Sequence, residues 1–331
     1  MNTTSVIPRS QYPSVVSMMT KTVLDIADFF RLFAFHLYLY LDYICRKVIF
    51  AKPKSLDGEI ILVTGSGRGI GRFISLELAT TGATVILWSK SPGPNEEVAK
   101  EIRKQGGKAF AYSVDVSNRL AVATTAELVR REVGDPTIVV NNAGLMNISS
   151  FINQSDKEIE NMFNVNVLSN FWVIKEFLPA MLAKNHGHLV SVCSASGILP
   201  TRNIAAYSAT KHAVHGLHDA LRDEIRILKS NVKITVAYPF YCSTEMLSDG
   251  IPHTRFPMLF PIDPPEVVAK NIVYGVRKDV EYIYTPRLVG WLAMFSWLVP
   301  PRAVEAYADF LKLNIDPVAP PPTTTMINGI H

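Results

Sequence analysis

Seven short apolar segments recur along the middle of the chain, and most are rich in β-branched residues. They cover residues 59–64, 83–89, 108–114, 137–143, 188–194, 233–239 and 281–286. The longer segments between them include several in which apolar residues recur with helical spacing, among them 96–105, 118–133 and 157–184. Strands without strict polar–apolar alternation, separated by helices, are typical of a parallel sheet that is covered on both faces.

This pattern predicts a doubly wound α/β domain of the Rossmann type, in which a seven-stranded parallel sheet has helices on both faces. Such folds bind ligands beyond the carboxyl ends of the strands. We expect the domain to cover residues 58–315. Residues 316–331 are rich in proline and threonine, which predicts a disordered tail.

The first 57 residues follow a different pattern. On a helical wheel, one face carries charged residues and the opposite face carries Phe30, Phe33, Leu37, Leu41, Ile44 and Val48. The uncharged run at 32–41 is shorter than the roughly 20 apolar residues that cross a bilayer. The pattern favours an amphipathic helix lying in a membrane interface; a helix packed on the α/β domain and a tilted or re-entrant segment are the alternatives. Basic residues at 46–54 predict that the α/β domain faces the cytosol.

Composition excludes some classes of function. The net charge is +4 among 331 residues, and the basic residues are spread out, so no nucleic-acid partner is expected. Three widely spaced cysteines, Cys45, Cys193 and Cys242, argue against a disulfide framework and a cysteine-based zinc site. His212, His215 and His218 point in different helical directions, so we expect no metal site.

A glycine-rich turn follows the first predicted strand and opens a helix. Its sequence is TGSGRGIG, residues 64–71. Glycines allow backbone N–H groups to approach a pyrophosphate closely, and the helix N-terminus favours an anion. The strand–turn–helix context predicts a dinucleotide site that contains Gly65, Ser66, Arg68, Gly69, Ile70 and Gly71.

Tyr207 and Lys211 lie four residues apart in the segment AAYSATKHA, residues 205–213. On a helix this spacing puts both side chains on one face. A free tyrosine is a poor base at neutral pH, and a neighbouring cation favours the phenolate. Alone, the pair indicates either an acid/base site or an ordinary helix surface.

The chain resembles the short-chain dehydrogenase/reductase family from about residue 58 to residue 285. The resemblance rests on Pro239 with Thr244 and on the motifs TGSGRGIG (64–71), DV (115–116), NNAG (141–144), NVLS (166–169), SASG (194–197) and YSATK (207–211). The N-terminal apolar helix, residues 177–192 and the segment LVPPRAVEAYADFLKLN are similar to a narrower group. That group contains the epidermal retinol dehydrogenases and the lipid-droplet 17-beta-hydroxysteroid dehydrogenases.

The resemblance implies four catalytic residues. Tyr207 would exchange a proton with the substrate oxygen, and Lys211 would favour its phenolate and bind the nicotinamide ribose. Ser194 would hold the substrate oxygen, and Asn166 would complete a proton relay through water to Lys211. The same resemblance places Asp115 and Val116 at the adenine, Asn142, Ala143 and Gly144 at the adenine ribose, and Thr244 at the nicotinamide carboxamide.

The end of the second strand bears on the choice of cofactor. An acidic residue there would bind a ribose 2′-hydroxyl, whereas basic residues accommodate a 2′-phosphate. This chain has Ser89 and Lys90 there and Arg68 in the glycine turn. The residues therefore favour NADP(H), with NAD(H) as the alternative.

The resemblance also implies a substrate and a location. In this family the region after Thr244 forms a flap over the substrate, which implies a flap at about 243–263 here. Its apolar residues, together with the N-terminal helix, favour a lipophilic alcohol or carbonyl of the retinoid or steroid class. The narrower group implies an endoplasmic reticulum membrane or lipid-droplet surface, and a homodimer is expected. Residues 290–301 form a second apolar segment that would contact a membrane or cover the pocket. The alternative function is a non-catalytic scaffold at a lipid surface that keeps the fold.

Overall fold

The computed structural model of the protein describes residues 15–43, 52–199 and 201–318. The chain divides into two compact units, Met1–Lys52 and Pro53–His331. In the first unit a single long helix, α1, covers Val15–Tyr43. This confirms the predicted N-terminal helix; its expected continuation through Ile44, Arg46, Lys47 and Val48 lies outside the described residues.

The side chains of α1 are mostly exposed, including Phe29, Phe30, Phe33 and Leu37. Within the residues that the structure describes, no helix combines the length and the apolar character needed to cross a membrane.

The second unit is built on the predicted seven-stranded sheet, which the structure confirms. Its strands are β1 (Ile60–Thr64), β2 (Thr84–Ser89), β3 (Lys108–Ser113), β4 (Ile138–Asn141), β5 (His188–Val192), β6 (Lys233–Pro239) and β8 (Tyr282–Thr285). Their order is β3-β2-β1-β4-β5-β6-β8, and every neighbouring pair is parallel. The strand order reverses direction between β1 and β4, so the carboxyl ends of these two strands border the crevice where such folds bind ligands.

Helices cover both faces of the sheet. The α-helices described in this unit are α2 (Gly69–Ala79), α3 (Pro92–Lys104), α4 (Arg119–Glu132), α5 (Asp156–Phe163), α6 (Ser169–Ala183), α7 (Ala205–Ile227), α8 (Pro265–Arg277), α9 (Leu288–Ser296) and α10 (Pro301–Leu311). One apolar core joins the sheet to α2, α3 and α8, and a second core joins it to α4, α6 and α7. Each of these helices turns an apolar stripe toward a sheet whose strands are buried on both sides.

The segment 157–184, which shows helical spacing in the sequence, does not form one continuous α-helix. A π-helical turn at Asn164–Leu168 separates α5 from α6. The wider turn directs Asn166 inward, where its side chain is almost completely buried. Such π-turns within helices often occur at functional sites.

A second small sheet joins a strand of the predicted flap to a strand near residue 315. Strand β7 (Gly250–His253) pairs antiparallel with β9 (Asn314–Pro317), with Pro252 opposite Ile315. Asp316 and Pro317 therefore form part of a strand, and the expectation that a disordered tail starts at residue 316 is corrected. One further hydrogen bond extends the pairing, since the Val318 amide donates to the Asp249 carbonyl at 2.9 Å. Residues 319–331 lie outside the described residues.

Candidate active site

A cavity of about 610 Å³ opens at the carboxyl ends of the central strands. Its wall contains most of the residues that the sequence singled out. They are Gly65, Arg68, Gly69, Ile70, Ser89, Lys90, Asp115, Val116, Asn142, Ala143, Gly144, Ser194, Tyr207, Lys211 and Thr244. The remaining three, Ser66, Gly71 and Asn166, do not line the cavity and lie behind its wall.

The glycine turn forms one end of the cavity. Gly65 and Gly69 adopt positive φ angles of 65° and 54°, a conformation that side chains disfavour. A Cβ on Gly65 would lie 2.9 Å from Ala143 Cα, and one on Gly71 would collide with the Gly65 carbonyl oxygen. The backbone here is therefore packed as closely as glycine permits.

The N-terminus of α2 begins at this turn, and its cap residue, Arg68, makes no capping hydrogen bond through its side chain. The first N–H groups of the helix are thus not capped by that residue, and the helix dipole favours an anion here. Gly69 and Ile70 both line the cavity beside these groups. The turn therefore fits the pyrophosphate of a dinucleotide.

Two buried hydrogen-bond networks hold the turn from behind. The Thr64 hydroxyl accepts from the amides of Asn142 and Ala143 at 3.0 and 3.1 Å, and Asn142 Nδ2 donates to the Thr64 carbonyl at 3.0 Å. On the other side, the fully buried Ser66 hydroxyl donates to Asn95 Oδ1 at 2.7 Å. The Ser66 side chain therefore faces the interior, and its expected place in the dinucleotide site rests on its main chain.

The two cations proposed for the cofactor phosphate both sit in ion pairs. Lys90 Nζ lies 2.7 Å from Asp115 Oδ2, and Arg68 Nη1 lies 3.0 Å from Glu245 Oε2. Burial alone would raise the pKa of Asp115, but hydrogen bonds from Lys90 and Ser117 hold it below its usual value. The carboxylate is thus ionised at neutral pH and keeps the Lys90 ammonium at the end of β2.

Ser194 follows β5 and begins a short 3-10 turn over Ala195–Gly197. Its Oγ accepts a hydrogen bond from the Ser196 amide at 3.2 Å. This bond fixes the oxygen through a lone pair, so the hydroxyl proton is left to donate toward the cavity. Ser196 itself is buried, and its hydroxyl lies 3.4 Å from that of Thr201.

Tyr207 and Lys211 occupy the first two turns of α7 and are both buried. The Lys211 ammonium lies 5.5 Å from the centre of the Tyr207 ring and donates to the Val192 carbonyl at 3.0 Å. Over the described ranges of the chain, no carboxylate forms an ion pair with Lys211. A buried ammonium without a carboxylate favours a nearby anion or a set of hydroxyl oxygens.

Asn166 supports the cavity wall from the π-helical turn. Its Oδ1 accepts from the Leu145 amide at 2.7 Å, and its Nδ2 donates to the Leu145 carbonyl at 2.8 Å and the Thr210 hydroxyl at 3.0 Å. The same neighbourhood contains Gly144, where an added Cβ would lie 3.5 Å from Asn166 Oδ1 and 3.7 Å from Lys211 Nζ. Asn166 thus fixes the loop after β4 beside the lysine.

The three histidines of α7 each have a different partner. His212 Nδ1 lies 2.9 Å from the Ser208 carbonyl oxygen, and His215 Nδ1 lies 2.5 Å from the Tyr238 hydroxyl. His218 is fully buried, and its Nε2 lies 2.8 Å from the Ser191 hydroxyl. Burial lowers the pKa of His218 to about 4, so this imidazole is neutral at physiological pH.

Sequence reasoning missed part of the apolar wall. Met146, Ile204, Tyr241 and Ile315 line the cavity, and Ile315 comes from the C-terminal strand β9. Tyr241 donates to the Asn314 carbonyl at 2.9 Å, which ties β9 to the cavity. No motif marks these positions, and Ile315 lies in a strand that forms only by pairing with β7.

Only part of the predicted flap lines the cavity. Met246 and Leu247 do so, whereas Phe260 is buried with its ring 5.7 Å from that of Phe240. Met258 and Leu259 are exposed. The apolar residues of the flap therefore divide between the cavity, the core and the surface.

The fold and the site define an enzyme class, and comparison with known proteins agrees. The short chain dehydrogenase family model matches residues 59–253. The protein belongs to this family, and it is an oxidoreductase that uses a nicotinamide cofactor.

Relatives extend the match over most of the chain. A bovine protein (Bos taurus) named short-chain dehydrogenase/reductase family 16C member 6 is 35% identical over 84% of this chain and 88% of its own length. Mouse (Mus musculus) estradiol 17-beta-dehydrogenase 11 is 35% identical over 81% and 88%. Human (Homo sapiens) epidermal retinol dehydrogenase 2 is 35% identical over 79% and 85%.

Solved structures share the fold. A short-chain dehydrogenase/reductase from Burkholderia phymatum in complex with NAD superposes with a TM-score of 0.67 at 22% identity, over 80% of this chain and 98% of its own. A gluconate 5-dehydrogenase, described as putative, from Beutenbergia cavernae with bound NADP gives 0.63 at 29% identity, over 73% and 100%. The family model and the sequence relatives confirm the predicted family and the narrower group.

Proposed function

We propose that the protein is an NADP(H)-dependent oxidoreductase that interconverts a lipophilic alcohol and its carbonyl, of the retinoid or steroid class. The observation that carries the proposal is the convergence of Ser194, Tyr207 and Lys211 on one cavity that ends at the closely packed glycine turn. A non-catalytic scaffold would have no need to keep a buried ammonium beside a tyrosine in such a cavity.

The residues divide the chemistry among them. A bound nicotinamide cofactor supplies or accepts the hydride. The Tyr207 hydroxyl exchanges a proton with the substrate oxygen, and the Ser194 hydroxyl donates to that same oxygen and stabilises its developing charge. Lys211 stabilises the tyrosine phenolate and binds ribose hydroxyls of the cofactor.

Asn166 acts as a positioning residue in this proposal. Its amide group is engaged by Leu145 and Thr210, so it supports the loop that carries Gly144 past Lys211. Its main-chain carbonyl accepts from Asn170 Nδ2 at 2.8 Å. The relay through water to Lys211 stays a prediction.

The substrate class follows from the lining beyond the catalytic groups. Met146, Ile204, Phe240, Leu247 and Ile315 contribute side chains to that part of the cavity. An apolar lining with a few polar groups recognises a hydrophobic molecule and orients its one reacting oxygen. The names of the relatives, estradiol and retinol dehydrogenases, point to substrates of the same kind.

The function is tested with the purified full-length protein, both cofactors and a panel of retinoids, steroids and long-chain alcohols with their carbonyls. We expect cofactor-dependent turnover of at least one pair. Tight cofactor binding without turnover of any panel member would support the scaffold alternative instead.

The preference for NADP(H) rests on the two cavity cations. The last residue of β2 is Ser89, which is not acidic. Lys90 and Arg68 line the cavity beside it. Both side chains are largely exposed, so they can turn from Asp115 and Glu245 toward a 2′-phosphate at little cost. NAD(H) would leave both cations in their present ion pairs.

Removing both cations should therefore change the cofactor preference. Each charge-assisted hydrogen bond contributes about 1.5–3 kcal/mol, so Arg68→Ala with Lys90→Ala should lower the affinity for NADP relative to NAD at least about tenfold. Titration of the purified variants with each cofactor measures the ratio. Lys233→Ala, on the exposed start of β6, is the control and should keep the wild-type ratio. A wild-type protein that binds NAD more tightly than NADP would contradict the assignment.

For location, we propose that α1 lies in a membrane interface and that the α/β domain faces the cytosol, at the endoplasmic reticulum or a lipid droplet. The exposed aromatic and aliphatic residues of α1 support this proposal, because so much apolar surface is rare on a soluble helix. The proposal includes residues 1–57 as the membrane-associated segment, 58–315 as the enzyme domain and a homodimer as the assembly.

Deleting residues 1–52 should release the protein from membranes while the α/β domain remains folded. The apolar cores of that domain are formed entirely by residues after position 52, so its melting temperature should change little, and the far-UV circular dichroism should lose only the helical signal of α1. Flotation of cell membranes measures the release. Protection of the domain from added protease in intact microsomes would show that the proposed orientation is wrong.

A further inference from the structure

Helix α9 packs on the edge of the sheet through one narrow face. Val289 and Ala293, four residues apart, are buried. Gly290 fits against the Tyr284 ring of β8, where a Cβ would lie 2.6 Å from ring carbon Cδ2. These contacts fix which side of the helix points outward.

The outward side carries an aromatic patch, which we call the α9 patch. It consists of Trp291, Met294, Phe295, Trp297 and Leu298, all exposed, with 63% of Trp291, 84% of Trp297 and 77% of Leu298 accessible to solvent. Leaving so much contiguous apolar surface in water is unfavourable, and such patches mark interaction sites.

The chemistry around the patch identifies the surface it suits. Residues 288–301 contain no charged side chain, and exposed Arg287 and Arg302 bound them on either side. Tryptophan prefers the region between lipid headgroups and acyl chains, and flanking arginines attract anionic headgroups. A phospholipid surface satisfies both parts of this pattern.

A groove of about 1100 Å³ begins at the patch. Trp297 lines it together with Val299 and Val304, and its inner end reaches Thr201. Thr201 also lines the catalytic cavity. The groove therefore connects a residue of the α9 patch with the wall of the cavity.

Several polar and charged residues line the groove, among them Glu305, Asp309 and Lys312, and Asp316 lies close to two basic side chains. Arg202 Nη2 lies 3.5 Å from Asp316 Oδ1, and His253 Nε2 lies 3.1 Å from Asp316 Oδ2. The neighbouring residue of β9, Ile315, faces the cavity. Strand β9 thus borders both the groove and the cavity, with Asp316 lining the groove and Ile315 lining the cavity.

We propose that the α9 patch docks onto a phospholipid surface and that the groove behind it admits lipophilic substrate from that surface to the catalytic cavity. The second part rests on the proposed function, whereas the docking does not. A substrate dissolved in lipid would then reach the cavity without crossing bulk water.

Fluorescence quenching tests the docking in the full-length protein. The probe is a vesicle of phosphatidylcholine and phosphatidylserine in which the phosphatidylcholine carries bromine on its acyl chains. The chain has four tryptophans, of which Trp88 is fully buried and Trp172 lies under Arg119 at 5.3 Å. We expect bromine to quench the wild-type protein and the control Trp172→Phe, and we expect Trp291→Phe with Trp297→Phe to lose that quenching.

The readout separates this patch from α1. If the protein binds through α1 alone, it will sediment with vesicles, and the double variant Trp291→Phe with Trp297→Phe will show the same quenching as the wild type. That result would overturn the proposal. Absence of quenching in the wild type would overturn it as well. So would a patch variant that changes only the oligomeric state, because the patch would then contact a second copy of the chain.

A kinetic arm tests the route of the substrate. Trp291 and Leu298 do not line the groove, so Trp291→Ser with Leu298→Ser should leave kcat/KM for a short, water-soluble alcohol unchanged. Burial of each large apolar side chain contributes about 1.5–3 kcal/mol, so KM for a vesicle-embedded substrate should rise about tenfold or more. An unchanged KM in vesicles would overturn the route. If no alcohol is turned over at all, the proposed function fails while the quenching result still decides the docking.

Discussion

Replacing Tyr207 with phenylalanine is expected to lower the rate of alcohol oxidation or carbonyl reduction by about 10²–10⁴-fold, because the substitution removes the only group assigned to move the proton. The ring is buried among Ile148, Met162 and Ile204, and phenylalanine keeps that packing. Cofactor affinity and melting temperature should therefore stay close to those of the wild type. Steady-state rates, cofactor titration and thermal unfolding measure the three quantities.

A second cavity tyrosine provides the matched control. Tyr241 also lines the cavity, but its hydroxyl donates to the Asn314 carbonyl, and burial raises its pKa well above the ordinary value, with Asp316 adding to the effect. Tyr241 therefore stays protonated and is unsuited to act as a base. Tyr241→Phe should retain most of the rate. The opposite outcome, with Tyr207→Phe active and Tyr241→Phe inactive, would show that the assigned tyrosine is wrong.

Much of the fold could be predicted because its signals are local. The strand segment 59–64 is short, apolar and β-branched, and glycines stop it abruptly at residue 65. A buried parallel strand needs that composition on both faces, so the pattern and the structure agree. The places of the two candidate groups also follow local signals, since Ser194 lies two residues after β5 and Tyr207 lies in the first turn of α7, whereas their proposed roles come from the family resemblance.

The parts that could not be predicted depend on distant contacts. Strand β7 contains Pro252 and strand β9 ends at Pro317, and neither has a strand pattern, so only their mutual pairing makes them strands. The sequence also gives no sign of the π-helical turn around Asn166, because its apolar spacing resembles that of an ordinary helix. It exists because the Asn166 amide finds the backbone of Leu145, a partner contributed by another loop.

The ion pairs at the cofactor site could not be predicted from sequence motifs either. Lys90 and Arg68 could be identified as cations near the cofactor site, but their carboxylate partners, Asp115 and Glu245, come from other strands and loops. The Ser66 hydroxyl could equally have faced the cavity or the interior. Its direction follows from Asn95, which lies 29 positions further along the chain.

Lys211→Met should weaken cofactor binding and move the pH–rate profile, and this pair of effects separates a catalytic lysine from a structural one. Methionine fills a similar volume, so the buried site should stay packed, with the Val192 carbonyl losing its 3.0 Å partner. Loss of charge-assisted hydrogen bonds to ribose hydroxyls, each contributing about 1.5–3 kcal/mol, should raise the cofactor Kd at least about tenfold.

The sign of the pH effect follows from the role of the cation. In the proposed mechanism, alcohol oxidation uses the Tyr207 phenolate as base, and the Lys211 ammonium, 5.5 Å from the ring centre, would stabilise that anion. Without the cation, the phenolate forms only at higher pH, so the rising limb of the oxidation profile should shift to the alkaline side. Lys211→Arg keeps the charge and should leave the limb nearer its original position. If Lys211→Met loses stability but keeps both the cofactor Kd and the pH profile, Lys211 merely holds α7 against β5 and the acid/base assignment for the pair fails.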